Sequence, residues 1–78
     1  MEKDLLEIGE TSLFKEPKGF IVYEFTRLGL GDEDYLSDSV EHRRYDSRKK
    51  DKGKRSWILL KNLPDWYKML EERGFVRI

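Results

Sequence analysis

Residues 20–26 read FIVYEFT, a β-branched and aromatic run with the composition of a β-strand. Apolar side chains fall on both alternating faces of this run, with Phe20 and Val22 on one face and Tyr23 and Phe25 on the other. A strand that is apolar on both faces suits the middle of a sheet. The run therefore predicts a central strand around which the rest of the domain is built.

Two further runs have strand character. Residues 35–45 alternate so that Val40 and His42 share one face, while Glu41, Arg43 and Tyr45 share the other. Residues 56–60 (SWILL) form the third strong strand. Between them, residues 46–54 are too charged to be buried, and we expect a hairpin loop or a flexible basic finger. The apolar residues within 2–8 match neither the helical nor the strand spacing, and they predict a short strand or a single helical turn.

A helix is expected to follow the third strand. Asn62, Leu63, Pro64 and Asp65 resemble a helix start, with proline near the first helical position and an acid in the first turn. The apolar spacing after it predicts an amphipathic helix of about three turns. Trp66, Met69, Leu70 and Arg73 are expected on one face of this helix, with Leu63 preceding them. Gly74 suits the position just after the helix, and residues 75–78 predict a short terminal strand or packed tail.

Strands followed by a helix indicate an α+β fold, a small antiparallel sheet of three to four strands followed by one C-terminal amphipathic helix. At 78 residues the chain has room for a single domain, residues 1–78. We expect the sheet to bury Val22 or Ile21, Val40, Ile58 and Leu60 beneath Trp66, Met69 and Leu70. Because so small a core is marginal alone, we also expect a homodimer.

Several kinds of chemistry lack the residues they need. The chain has no cysteine and one histidine, so it has neither a disulfide framework nor a thiolate or His-rich metal site, and we expect no cofactor. The acids around residues 32–41 lack the spacing of a calcium loop. His42 has no partner for a catalytic triad, so it is expected to be a strand side chain in a non-enzymatic protein. With no apolar run of membrane-spanning length, we expect no membrane partner and a cytoplasmic location.

Zero net charge hides a strong segregation of charge. Residues 1–42 hold four basic and eleven acidic residues, a net charge of −7. Residues 43–55 hold eight basic and two acidic residues, a net charge of +6. Half of the positive charge therefore lies in thirteen residues, and a local potential of this kind attracts a polyanion.

This basic segment carries Tyr45 and is followed at once by Trp57. Cations contact phosphates, and aromatic rings stack on unpaired bases, so the combination is typical of proteins that bind single-stranded DNA or RNA. We therefore predict a nucleic-acid-binding site formed by Arg43, Arg44, Tyr45, Arg48, Lys49, Lys50, Lys52, Lys54, Arg55 and Trp57. The alternative is a plain solvated hairpin tip with Trp57 in the core.

The order of elements and the motif at residues 53–66 (GKRSWILL, then NLPDW) resemble the single-stranded nucleic-acid-binding domains of the positive cofactor 4 coactivator and Pur-alpha type. The resemblance covers about residues 20–73, and the acidic stretch 29–34 and the tail 75–78 depart from it. It implies a curved four-stranded antiparallel sheet followed by a helix, pairing of two chains, and a transcription-related role. By resemblance, Arg43, Tyr45, Lys54, Arg55 and Trp57 lie on or beside strands that face nucleic acid.

Two other functions remain open from the sequence. The acidic surface of residues 1–42 could engage a basic partner in a protein-interaction or inhibitor module. A winged-helix duplex binder could use residues 66–73 as its helix and residues 75–78 as a wing strand, although few helices precede it. Exposure of Tyr45 and Trp57 beside cations would favour the binding of bases.

Overall fold

The computed structural model describes residues 6–28 and 39–78, which form a five-stranded antiparallel sheet and one α-helix. The elements are β1 (Thr11–Lys15), β2 (Ile21–Arg27), β3 (Ser39–Asp46), β4 (Ser56–Leu59), a 3₁₀ turn (Leu60–Asn62), α1 (Leu63–Glu72) and β5 (Val76–Arg77). The strand order is β4-β3-β2-β1-β5. The α+β fold class is confirmed, with five strands rather than three to four, and β2 is the central strand.

The additional strand is β1, which the apolar pattern does not reveal. It pairs with β2 so that Ser12 lies opposite Phe25 and Phe14 opposite Tyr23. Ser12 is a polar residue at a fully buried position, which breaks the alternation expected of a strand. Its hydroxyl shares a buried hydrogen bond of 2.7 Å with the hydroxyl of Tyr67 in α1, and this bond makes the burial tolerable.

The core lies between α1 and one face of the sheet. Phe14, Phe25 and Tyr67 form its centre, with ring centroids 4.8 to 6.3 Å apart. Tilted and edge-to-face contacts at these distances add to the free energy gained from burying the rings. Leu6, Val40, Leu63 and Leu70 complete the fully buried set.

The helix begins and ends where its sequence predicts, but its buried stripe is different. Leu63, Tyr67 and Leu70 are buried, whereas Trp66 and Met69 are only partly buried and Arg73 is exposed. The expected stripe leaves out Tyr67 because a phenol requires a hydrogen-bond partner in the core, and the sequence does not indicate that Ser12 supplies one.

Two residues after the last residue of α1, a glycine adopts the left-handed backbone conformation. Gly74 has a φ of 90°. Its N–H donates to the carbonyl of Glu71 at 3.0 Å, and the N–H of Phe75 donates to the carbonyl of Leu70 at 2.9 Å. This pair of bonds is a Schellman motif, which turns the chain back so that β5 pairs with β1.

Two expectations about the strands need correction. Of the two alternatives for β2, Val22 is buried but lies opposite Tyr45 on the face that points away from α1, whereas Ile21 shares the helix side with Val40 and Ile58. Leu60 belongs to the 3₁₀ turn and not to the third strand.

Residues 6–8 belong to no strand or helix, although Leu6 is fully buried. The first four residues of the strand expected at 35–45, the acidic stretch 29–34 and residues 2–5 lie outside the described residues.

Leu70→Ala tests the core directly. Leu70 is completely buried, so its truncation should lower the free energy of unfolding by about 2–5 kcal/mol through lost burial and a residual cavity. Leu59→Ala is the matched control, because Leu59 is 44% exposed and should cost well under half as much. Equal effects in urea unfolding would contradict the placement of the core.

His42 should make stability depend on pH. It stacks on Phe25 at 4.8 Å and lies 4.7 Å from the Trp66 ring, and this burial lowers its pKa from 6.5 because the charged imidazolium is disfavoured. The unfolded chain therefore binds more protons at His42 than the folded chain does. The contribution of neutral His42 to the free energy of unfolding is fully present above pH 6.5 and is lost as the pH falls below it. His42→Phe removes the only histidine and should flatten the melting temperature between about pH 7.5 and 5; a wild-type profile already flat in that range would contradict the burial.

Candidate nucleic-acid interface

The face of the sheet opposite α1, here called the open face, has no helix or strand of residues 6–28 and 39–78 packed over it. Alternate residues of the strands carry it, and the cross-strand register places them in rows. One row joins Val22 and Tyr45, the next joins Glu24 and Arg43, and the third runs through Thr26, Glu41 and Trp57. Leu59 extends the open face beyond the third row.

The two aromatic side chains differ in exposure. Trp57 is 53% exposed on β4, an edge strand, and the guanidinium of Arg55 lies 5.6 Å from the centre of its ring. Tyr45 is half-buried, with the ammonium of Lys52 at 5.6 Å from its ring. Burial and the nearby Glu24 carboxylate raise the pKa of Tyr45, so its phenol stays neutral. Both rings therefore lie beside cations, with Trp57 the more accessible.

Two carboxylates on the open face, those of Glu24 and Glu41, form ion pairs with cations of the basic segment. The Glu24 carboxylate lies 3.8 Å from the Lys52 ammonium, and that of Glu41 lies 3.3 Å from Arg55 and 3.7 Å from Arg43. Both carboxylates are largely buried, with side-chain exposures of 19% and 18%. These ion pairs lie on a face over which no described helix or strand packs.

The loop at residues 47–55 is anchored at both of its ends. At its start, the Asp46 carboxylate accepts hydrogen bonds from the backbone and guanidinium of Arg48, which hold the pKa of Asp46 at about 2. The Arg48 guanidinium also stacks on Phe20, 4.1 Å from its ring centre. Near the end, Gly53 has a φ of 74°, and a Cβ there would lie 3.0 Å from the Arg44 carbonyl, so glycine permits this close return of the chain.

The ten residues predicted for the site fall into three groups. Arg43, Tyr45 and Trp57 lie on the open face, and Lys52 and Arg55 reach it through their ion pairs. Arg44 lies on the helix side, 5.9 Å from the Tyr23 ring, and Arg48 is held by Asp46. Lys49, Lys50 and Lys54 are exposed and make no ion pair with any described residue.

Sequence reasoning missed the two carboxylates. The alternation of β3 places Glu41 on the same face as Arg43 and Tyr45, so that signal was present. No comparable signal exists for Glu24, because its contact with Lys52 joins residues 28 positions apart.

Two further findings concern metal-ion ligands and membrane-spanning helices. No group of three or more potential ligand side chains within the described ranges could hold a metal ion. The described part of the chain also contains no helix with the length and apolar character needed to cross a bilayer.

Comparison of the chain with protein families, curated proteins and solved structures finds no match.

Proposed function

We propose that this protein is a non-enzymatic, cytoplasmic module that binds single-stranded DNA or RNA on the open face of its sheet. The observation that carries the proposal is the half-exposed ring of Trp57, which stands beside Arg55 on that face. Aromatic rings on an exposed sheet surface stack on unpaired bases, and neighbouring cations contact the backbone phosphates.

The spacing of the aromatic rings supports an extended strand as the ligand. Tyr45 and Trp57 are separated by two rows along the sheet and by one strand across it. Strand geometry puts their Cα atoms roughly 14 Å apart, which leaves room for more than one nucleotide between two stacked bases. A duplex keeps its bases stacked on each other and offers no free ring face at either position.

The exposed lysines of the loop that form no ion pair with a described residue supply the phosphate contacts that cost the least free energy. Lys49, Lys50 and Lys54 can approach a phosphate without giving up an ion pair. Arg43, Lys52 and Arg55 must share their cations with Glu24 or Glu41. The helix surface is less suitable, because α1 carries three carboxylates and one lysine on its exposed side.

Salt dependence tests the electrostatic part. Each phosphate contact on a single strand adds about 0.7 to the salt slope, so three to five contacts predict a slope between about −2 and −3.5. Replacing Lys49, Lys50 and Lys54 with Glu should lower oligonucleotide affinity at least tenfold at about 50 mM salt and flatten the slope by about 2. The matched control reverses three exposed lysines elsewhere, Lys18, Lys61 and Lys68, and should change both quantities little.

Trp57→Ala tests the stacking. Loss of one stacked base should weaken binding of a single strand by about 1–3 kcal/mol and should remove most of the preference over duplex. Leu59→Ala, on the same strand and the same face, is the control and should keep that preference. If the wild-type protein binds no single strand at low salt, the proposal fails and a protein partner for the acidic residues 1–42 becomes the better explanation.

We also propose a homodimer formed through the free edge of β4. No strand within residues 6–28 and 39–78 pairs with that edge, and pairing it with β4 of a second copy would satisfy its backbone groups while leaving both open faces accessible. Sedimentation equilibrium at micromolar concentration should give about twice the mass of the chain. A species of 9.4 kDa would contradict the dimer and leave the binding proposal intact.

A further inference from the structure

The exposed indole of Trp57 has a carboxylate as its direct neighbour. In the register of β3 and β4, Trp57 lies opposite Glu41 on the open face. Directly opposed side chains on antiparallel strands have Cβ atoms about 4.5–5.5 Å apart. The edge of a base stacked on the indole would therefore lie within reach of the Glu41 carboxylate.

The Glu41 carboxylate is held by two ion pairs but still has hydrogen-bond acceptor capacity. Both of its ion pairs, at 3.7 Å to Arg43 and 3.3 Å to Arg55, go to the same oxygen, Oε2. Oε2 is buried and accepts no hydrogen bond, and Oε1 makes neither an ion pair nor a hydrogen bond with any described residue. Two guanidiniums thus orient a carboxylate that still has acceptor capacity beside the stacking ring.

A carboxylate in this position distinguishes bases that present a hydrogen-bond donor from bases that present an acceptor. Ionised Glu can accept a hydrogen bond but cannot donate one. It pairs with the N4 amino group of cytosine, whereas uracil and thymine present the O4 acceptor at the same place. In a single strand this edge of the base is free to be recognised.

Building on the proposed function, we infer that Glu41 is a specificity-determining residue that selects an amino-bearing base at the Trp57 position. The ligand class is a single strand containing cytosine, or another base with an exocyclic amine, in preference to uracil or thymine. Arg43 and Arg55 are positioning residues for the carboxylate, and their remaining N–H groups can meet the adjoining phosphates.

The test compares oligo-dC with oligo-dU of equal length above neutral pH, because these strands share a backbone and ring size and differ in their hydrogen-bonding edge. The wild-type protein should bind oligo-dC about tenfold more tightly, as expected for a hydrogen bond to a charged acceptor. Glu41→Gln should bring the two affinities within about twofold, because the glutamine amide can both accept and donate.

Glu72→Gln is the matched control. It removes one negative charge from an exposed position on α1 and should keep the preference for oligo-dC. Thermal melting of each variant checks folding. Trp57→Leu gives a second approach, because it removes the stacking ring and should abolish the preference while leaving Glu41 in place.

The possible outcomes separate the two proposals. Equal wild-type affinities for oligo-dC and oligo-dU would overturn the selectivity of Glu41 and leave single-strand binding standing. A preference that persists in Glu41→Gln would also overturn it, since another residue would then recognise the base. Binding of neither oligonucleotide would overturn both proposals.

Discussion

One geometric constraint organises the described part of this protein: the ten-residue helix α1 covers one face of the five-stranded sheet and not the other. The ten residues of α1 span about 15 Å, and five strands span about 19 Å between the edges of the sheet. The helix side is accordingly apolar and aromatic around Phe14, Phe25 and Tyr67. No described helix or strand packs on the other face, and ion pairs of Glu24 and Glu41 occupy it.

Those ion pairs determine the character of the proposed interface. A segment with a net charge of +6 would suggest a plain basic patch, but several of its cations fold onto Glu24 and Glu41. Such partly buried pairs carry a desolvation cost and therefore add little net stability. Their main consequence is geometric, since they place guanidinium, carboxylate and indole groups next to one another on the open face. In the proposed interface, this arrangement would discriminate between ligands, whereas lysines alone would bind any polyanion.

Local patterns account for most of the fold. The two-sided apolar run predicts the central position of β2, and the spacing of Pro64, Asp65 and Gly74 predicts where the helix begins and ends. β1 and the burial of Tyr67 could not be predicted, and both have the same cause. Ser12 and Tyr67 each look unsuitable for a core alone, and their hydrogen bond connects residues 55 positions apart.

The sequence by itself determined the fold class, the faces of β3, the ends of the helix and the concentration of charge in residues 43–55. Each of these properties depends on the period of an element or on neighbouring residues, so it is visible along the chain. Only the tertiary structure decided which cations form ion pairs with the described carboxylates. It also placed Glu41 beside Trp57. Cross-strand register and the return of the loop set those relations, and they follow from packing the whole sheet against α1.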